Sequence, residues 1–207
     1  MNILELFAGS RSVGKVAEEL GHKVFSVDVK DFEGINLVKD IEFLEKKDIP
    51  FKPNFIWASP PCTTYSVMTG VHRDKITKEP WTDFAEKSDR LVKKTLKIIK
   101  EFNCIYFIEN PRGSLRKMDF MMGLPRTTVW YCKYGDKRAK PTDLWSNNIY
   151  SLFNIKGFIP KTCFNNNIKC HHEPSPRGSK AGTQGLKNNY ERSKIPPQLC
   201  KEIIQSI

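Results

Sequence analysis

From residue 2 to residue 28 the apolar and polar positions predict strand, turn, helix and strand in succession. NILEL and KVFSVD are short apolar runs, and between them Val13, Val16, Ala17 and Leu20 recur at the spacing of one helix face, with Gly21 as the stop. That order is a βαβ unit. Two further runs, FIWA and IYFIE, flank a segment in which Leu91, Thr95, Leu96, Ile98, Ile99 and Phe102 share one helical face and Lys and Glu the other. Strands alternating with helices predict a parallel α/β sheet.

After about residue 125 the texture changes to a strand-like TTVWYC, a basic turn GDKRAK, and an Asn- and Gly-rich stretch from Lys161 to Asn189 with few apolar residues. That stretch reads as surface or as a binding appendage. The closing IPPQLCKEIIQSI suits a helix with prolines in its first turn and with Leu199, Ile203 and Ile207 on one face, docking back on the sheet.

Composition narrows the class. A chain of 207 residues with 39% hydrophobic positions, thirteen Phe and four Trp can bury a core, and the length favours one domain with a small appendage. The net charge of +11 makes a polyanion the expected partner, without separating DNA, RNA and a membrane surface. No window approaches the roughly 18 uninterrupted apolar residues of a membrane span, and MNILELFAGS lacks the basic-then-apolar order of a signal peptide. A cytoplasmic protein is expected. The six cysteines are scattered through a core-sized chain, so they read as free thiols or metal ligands.

Three short stretches carry candidate chemistry. In ASPPCTTYS, Cys62 follows two prolines at the end of an apolar run, where the chain has stiffened and left the strand. This is a mount for a nucleophile; the alternative is a small buried hydrophobe. LFAGSRSVG stands at the end of the first strand, where open parallel sheets bind ligands. Gly9 to Lys15 also matches most of a phosphate loop, but Val16 replaces the hydroxyl that should hold magnesium, which disfavours a nucleotide triphosphatase. Asp28 ends the second strand, where a ribose-binding acid lies in nucleoside sites, and Asp40 comes later in VKDI, placed to meet the adenine. The plainer reading is a tight turn at Gly9 and a loop cap at Asp28.

With LELFAGSRSVG, Asp28, Asp40, SPPC and FIEN in that order, the chain resembles the cytosine-C5 DNA methyltransferases over roughly residues 1 to 145. The resemblance implies the class I methyltransferase fold, a Rossmann-like, mostly parallel α/β sheet, here with a small C-terminal recognition appendage. It also implies S-adenosyl-L-methionine as cofactor, held by Phe7, Ala8, Gly9, Ser10, Asp28, Asp40, Ile41 and Pro60. Cys62 would be the nucleophile and Glu109 would bind the base, with Ser59, Asn110, Arg138 and Lys140 as further substrate contacts. The expected division is a catalytic domain over 1–145, a reduced target-recognition region over 146–190 and a C-terminal helix over 191–207. Such trimmed chains resemble phage-encoded members, for which the location would be the host cytoplasm and protection from restriction a natural role.

The chain departs from the pattern in places. Arg11 stands where the family's Phe-x-Gly-x-Gly has its second glycine, and an αL conformation there would cost about 1 kcal/mol or more. Pro111 follows Glu109 and Asn110 where many members carry Val. GTQGLKNNYERSKIPPQL reads as a rewritten form of the family's last motif. Cys163, Cys170, His171 and His172, with Cys132 as a further candidate, invite a zinc reading, against which stand the wide gap between the two cysteines and the adjacency of the histidines. The alternative is no metal, only Cys and His in a basic loop near nucleic acid. Beside DNA as partner, RNA cytosine methylation and a catalytically idle nucleic-acid-binding module are the competing functions, and whether a protein partner supplies specificity stays open.

Overall fold

The structure is a computed structural model that describes residues 1–66, 71–151, 154–165, 167–173 and 188–207. The chain opens with β1 (Asn2–Leu6), α1 (Ser12–Glu19) and β2 (Lys23–Asp28), and β1 pairs with β2 in parallel. β3 (Leu37–Val38) borders β2. β4 (Phe55–Ala58), α2 (Asp83–Phe102) and β5 (Ile105–Pro111) complete the parallel part, with β1 pairing β4 and β4 pairing β5. β6 (Arg126–Trp130) and β7 (Pro141–Ser146) close the far edge, β7 running antiparallel to both its neighbours. The sheet order is β3-β2-β1-β4-β5-β7-β6. Two short helices end the chain, α3 (Asn189–Ser193) and α4 (Pro197–Gln205).

All four residues of β4 are buried, as a central parallel strand covered on both faces requires. Side-chain alternation sends Phe55 and Trp57 to one face, where Val13, Val16 and Ala17 of α1 meet Leu199, Ile203 and Ile204 of α4. Ile56 and Ala58 point to the other face, covered by Val92, Ile98, Ile99 and Phe102 of α2. α2 begins where Thr82 accepts a hydrogen bond from the Ala85 N–H and ends at Asn103 in the αL region.

Two elements differ from the sequence expectation. TTVWYC is not one strand: pairing stops at Trp130, and Tyr131–Tyr134 turns as a 3₁₀ helix ending at Gly135 with φ 86°. β7 is an unanticipated strand, because its sequence PTDLWS carries Pro and Asp, residues that strands avoid. Asp143 is tolerated there, fully buried, because Arg116 ion-pairs with it and Thr128 Oγ1 lies 2.8 Å from Asp143 Oδ1. Among the described residues no helix is long and apolar enough to cross a membrane.

Candidate active site

A cleft of about 1460 Å³ opens over the C-terminal ends of β1, β2, β4 and β5. It exceeds the roughly 300–1,000 Å³ of a pocket for one drug-sized molecule, so it has room for more than one small ligand. Phe7, Ala8, Gly9 and Ser10 from the first loop, Asp28, and Asp40 with Ile41 line one end; Ser59, Pro60, Cys62, Glu109 and Lys140 line the other.

The first loop is held from beneath by a residue that no sequence motif marks. Glu5 sits inside β1, buried, and its carboxylate accepts from the Val13 and Gly14 N–H groups at 3.2 and 3.0 Å and from the Ser26 hydroxyl at 2.8 Å. These amides are orphan donors of α1's first turn, so the acid caps the helix from the neighbouring strand. Burial nonetheless raises its pKa. A side chain at Gly14 would come within 2.5 Å of Glu5 Oε2, which explains the small residue. A charged residue in an otherwise apolar strand was the available signal.

Arg11 adopts φ 52°, the left-handed conformation that a glycine would reach without strain. The side chain offsets the cost: it is buried, donates to Ser26 Oγ at 3.1 Å, and ion-pairs with Glu18 at 2.5 Å. Gly34, at φ 80°, makes room for the guanidinium, since a Cβ there would lie 2.6 Å from Arg11 Nη1. The loop thus keeps a glycine-like path with an arginine in it. Phe7 and Gly9 share the positive φ. Asp28 accepts the Gly9 N–H and the Lys30 N–H, both at 2.9 Å, one on each oxygen, and each oxygen keeps a second lone pair toward the cleft. Asp40 caps a 3₁₀ turn and ion-pairs with Lys87 at 2.6 Å.

Cys62 is exposed in the cleft at the head of the turn Thr63–Tyr65. Behind it lies a locked polar cluster. Arg73, fully buried, donates to Thr64 O, Lys78 O and Ala85 O and to both oxygens of Asp89, which also accepts from the Tyr65 hydroxyl at 2.6 Å. On the other side Ser114 Oγ donates to Tyr65 O, and Gly113 lets β5's exit pass so close that any side chain would strike that carbonyl. Asn110 Nδ2 donates to Pro60 O at 2.9 Å. Asn110 is buried and absent from the cleft lining, so it steadies the proline turn from below. Ser59 lines the cleft and accepts from Trp57 Nε1.

Protein packed around the Cys62 thiol, and then the nearby Glu109 carboxylate, raise its pKa, while Lys140 pulls it down. Glu109 is buried on β5 and accepts from the Tyr131 hydroxyl at 3.0 Å. Lys140 stands 4.5 Å over the Tyr131 ring and donates to Arg192 O at 3.0 Å, and burial lowers its pKa. Arg138 lies elsewhere: it is buried, ion-paired with Asp136 at 2.5 Å, and donates to Arg192 O and Lys194 O, outside the cleft lining. It ties the basic turn to α3, whose Tyr190 packs on Phe32 at the cleft edge. Residues 182–187 of the expected last motif lie outside the described residues. The chain beyond α3 returns to the first loop, where the Ile195 N–H donates to Ser12 Oγ. Cys163, Cys170 and His172 gather with Cys132 beside the cleft; His171 turns away to the Asp136 carbonyl.

No protein-family model matches the chain. A "probable DNA (cytosine-5)-methyltransferase" of Frog virus 3 (isolate Goorha) is 30% identical over 99% of this chain and 99% of its own length. Among solved structures, a putative DNA modification methyltransferase encoded within an E. coli prophage superposes with a TM-score of 0.54 at 13% identity, covering 84% of this chain and 52% of that one. The S. pombe Dnmt2 methyltransferase has a TM-score of 0.50 at 14% identity, covering 75% and 52%. These two likenesses bear on the fold, and this chain spans about half the length of either structure.

Proposed function

The chain belongs to the DNA (cytosine-5)-methyltransferase family, and from that premise we propose that it methylates C5 of cytosine in DNA, with Cys62 as nucleophile and Glu109 as the group that holds the base. The observation that carries this reading is that the Cys62 thiol and the buried Glu109 open on one cleft with the Gly9 loop and Asp28.

The lining fits S-adenosyl-L-methionine. Phe7 and Val29 offer apolar surface for an adenine, while Ile41 is buried, and Asp28 has free lone pairs for ribose hydroxyls. Bound there, the cofactor supplies an electrophilic methyl group. C5 of cytosine is a poor nucleophile, so the Cys62 thiolate first adds at C6, which raises electron density at C5; once C5 carries the methyl group, loss of the C5 proton to a base breaks the S–C6 bond and frees the thiolate. The Glu109 carboxyl, held by Tyr131, bonds the N3 and amino edge of the base and stabilises the charge that develops during addition. Lys140 lowers the cost of forming the thiolate next to an acid. Because C6 is shielded in a stacked duplex, the target base must leave the stack, at about a few kcal/mol. The charge of +11, with Lys30 and Arg112 at the cleft, supports the phosphate contacts that offset this. We assign target recognition to residues 146–190, of which Asn165, His172, Glu173, Asn188 and Tyr190 line the cleft. A reactive thiol suits a reducing compartment such as the cytoplasm.

The test is transfer of labelled methyl to duplex DNA and, in parallel, to transfer RNA, with nucleoside analysis of the product. Label in 5-methyldeoxycytidine that disappears in Cys62→Ala is expected. Label confined to RNA would replace DNA by RNA as the substrate, and activity surviving Cys62→Ala would sink the covalent route.

A further inference from the structure

We propose that Cys132, Cys163, Cys170 and His172 form a structural zinc site that fastens the recognition loop to the edge of the sheet. The four ligating atoms lie within 4.8 Å of one another. A tetrahedral zinc with Zn–S near 2.3 Å and Zn–N near 2.0–2.1 Å needs separations of about 3.5–3.8 Å, so a contraction of about 1 Å closes the set. His172 Nδ1 already stands 3.9 Å from Cys163 Sγ.

The ligands come from two places that the chain brings together. Cys132 is 1% exposed in the turn after β6, packed against Trp130 and Ala139. Cys163, Cys170 and His172 come from a loop that crosses back over that turn. The loop is tied at its ends by main-chain bonds, Trp130 N–H to Lys161 O and Glu173 N–H to Lys137 O. Between those ties its described residues bury almost nothing. Phe164 is 61% and Ile168 97% exposed, and its two half-buried apolar side chains are the cysteines themselves. A loop of this kind lacks the burial needed to offset its ordering, and a metal supplies what the core does not. The surroundings fit a ligated thiolate: Asn167 Nδ2 donates to Cys163 Sγ at 3.3 Å, and Cys170 N–H closes a turn on Asn167 O. All described cysteines are free, and three thiols with one imidazole favour zinc over harder cations. Binding releases the three thiol protons to solvent.

Because Asn165, His172 and Glu173 line the same cleft as Cys62, the metal would set one wall of the nucleic-acid groove. The wide cysteine spacing that argues against zinc in the sequence is no obstacle here, since the fourth ligand is Cys132 and only one of the adjacent histidines takes part.

The full chain, reduced and incubated with one equivalent of zinc chloride, is desalted and its metal content measured. About one zinc per chain is expected, and under about a tenth overturns the site. X-ray absorption at the zinc edge should fit three sulfurs near 2.3 Å and one nitrogen, a measurement that needs no variant; an all-nitrogen-and-oxygen shell, or four sulfurs, overturns the assignment. His172→Asn should lose the zinc while His171→Asn retains it, and equal behaviour of the two overturns the ligand set. If His172→Asn fails to fold, the absorption spectrum of the wild type decides.

Discussion

The turn behind Cys62 and the loop carrying Cys163 and Cys170 both lack long regular elements, yet opposite means hold them. Behind Cys62, Arg73 and Asp89 are buried and Gly113 allows backbone to touch backbone, so the turn is fixed from inside the core. The loop carrying Cys163 and Cys170 leaves its large apolar side chains Phe164 and Ile168 in water and brings three soft ligands to Cys132. A lone thiol on a rigid polar mount is free to react, whereas grouped thiols on a loop without a core are disposed to bind. The setting of a cysteine, more than its exposure, decides which chemistry it serves.

The comparison breaks most sharply at Arg73. Arg73→Met leaves Asp89 buried and unpaired and is expected to cost about 3–5 kcal/mol in denaturant unfolding; a loss below about 1 kcal/mol would mean that the mount is not locked. Glu109→Gln keeps the shape and removes the carboxyl that bonds the base at N3, so methyl transfer should fall about 10²–10³-fold. The same variant should alkylate faster at Cys62, because the carboxylate no longer opposes the thiolate; slower alkylation would deny that the two groups interact.

Smaller effects sharpen the contrast. The Cys62 pKa is raised and the reactive form is the deprotonated one, so kcat/KM should climb with pH on through the ordinary thiol value of 9.0. Lys140→Met removes the opposing cation, moves that limb to still higher pH and slows transfer at neutral pH by roughly tenfold, one pKa unit; an unmoved limb would separate Lys140 from the thiol. Smallest of all, Ile168→Ser should change stability by no more than about 0.5 kcal/mol, as measured by thermal unfolding. A larger loss would show that the loop has an apolar anchor after all.

Much of the site was legible before the fold. Periodicity marked β1, α1, β2, β4 and β5, because a parallel strand buried on both faces and an amphipathic helix leave different apolar rhythms. Cys62, Glu109, Gly9 and Asp28 were legible because each stands where such a strand ends. β7 was hidden by its own Asp143, whose buried charge makes sense only beside Arg116. Arg73 and Gly113 left little local signal, since each acts on residues far along the chain, and Glu5 showed only as a charge within an apolar run.

Residue order alone was enough for the succession of strands and helices, the placing of Cys62 and Glu109 at strand ends, and a strong positive charge. These are local or additive properties, carried by neighbouring residues or by composition. It took the folded chain to show that Arg11 could adopt a glycine's backbone, that Arg138 would serve as a bracket while Lys140 faced the thiol, and that Cys132 would meet Cys163, Cys170 and His172. Each of these depends on distances between segments that sequence separation does not encode, and packing around a shared core sets them.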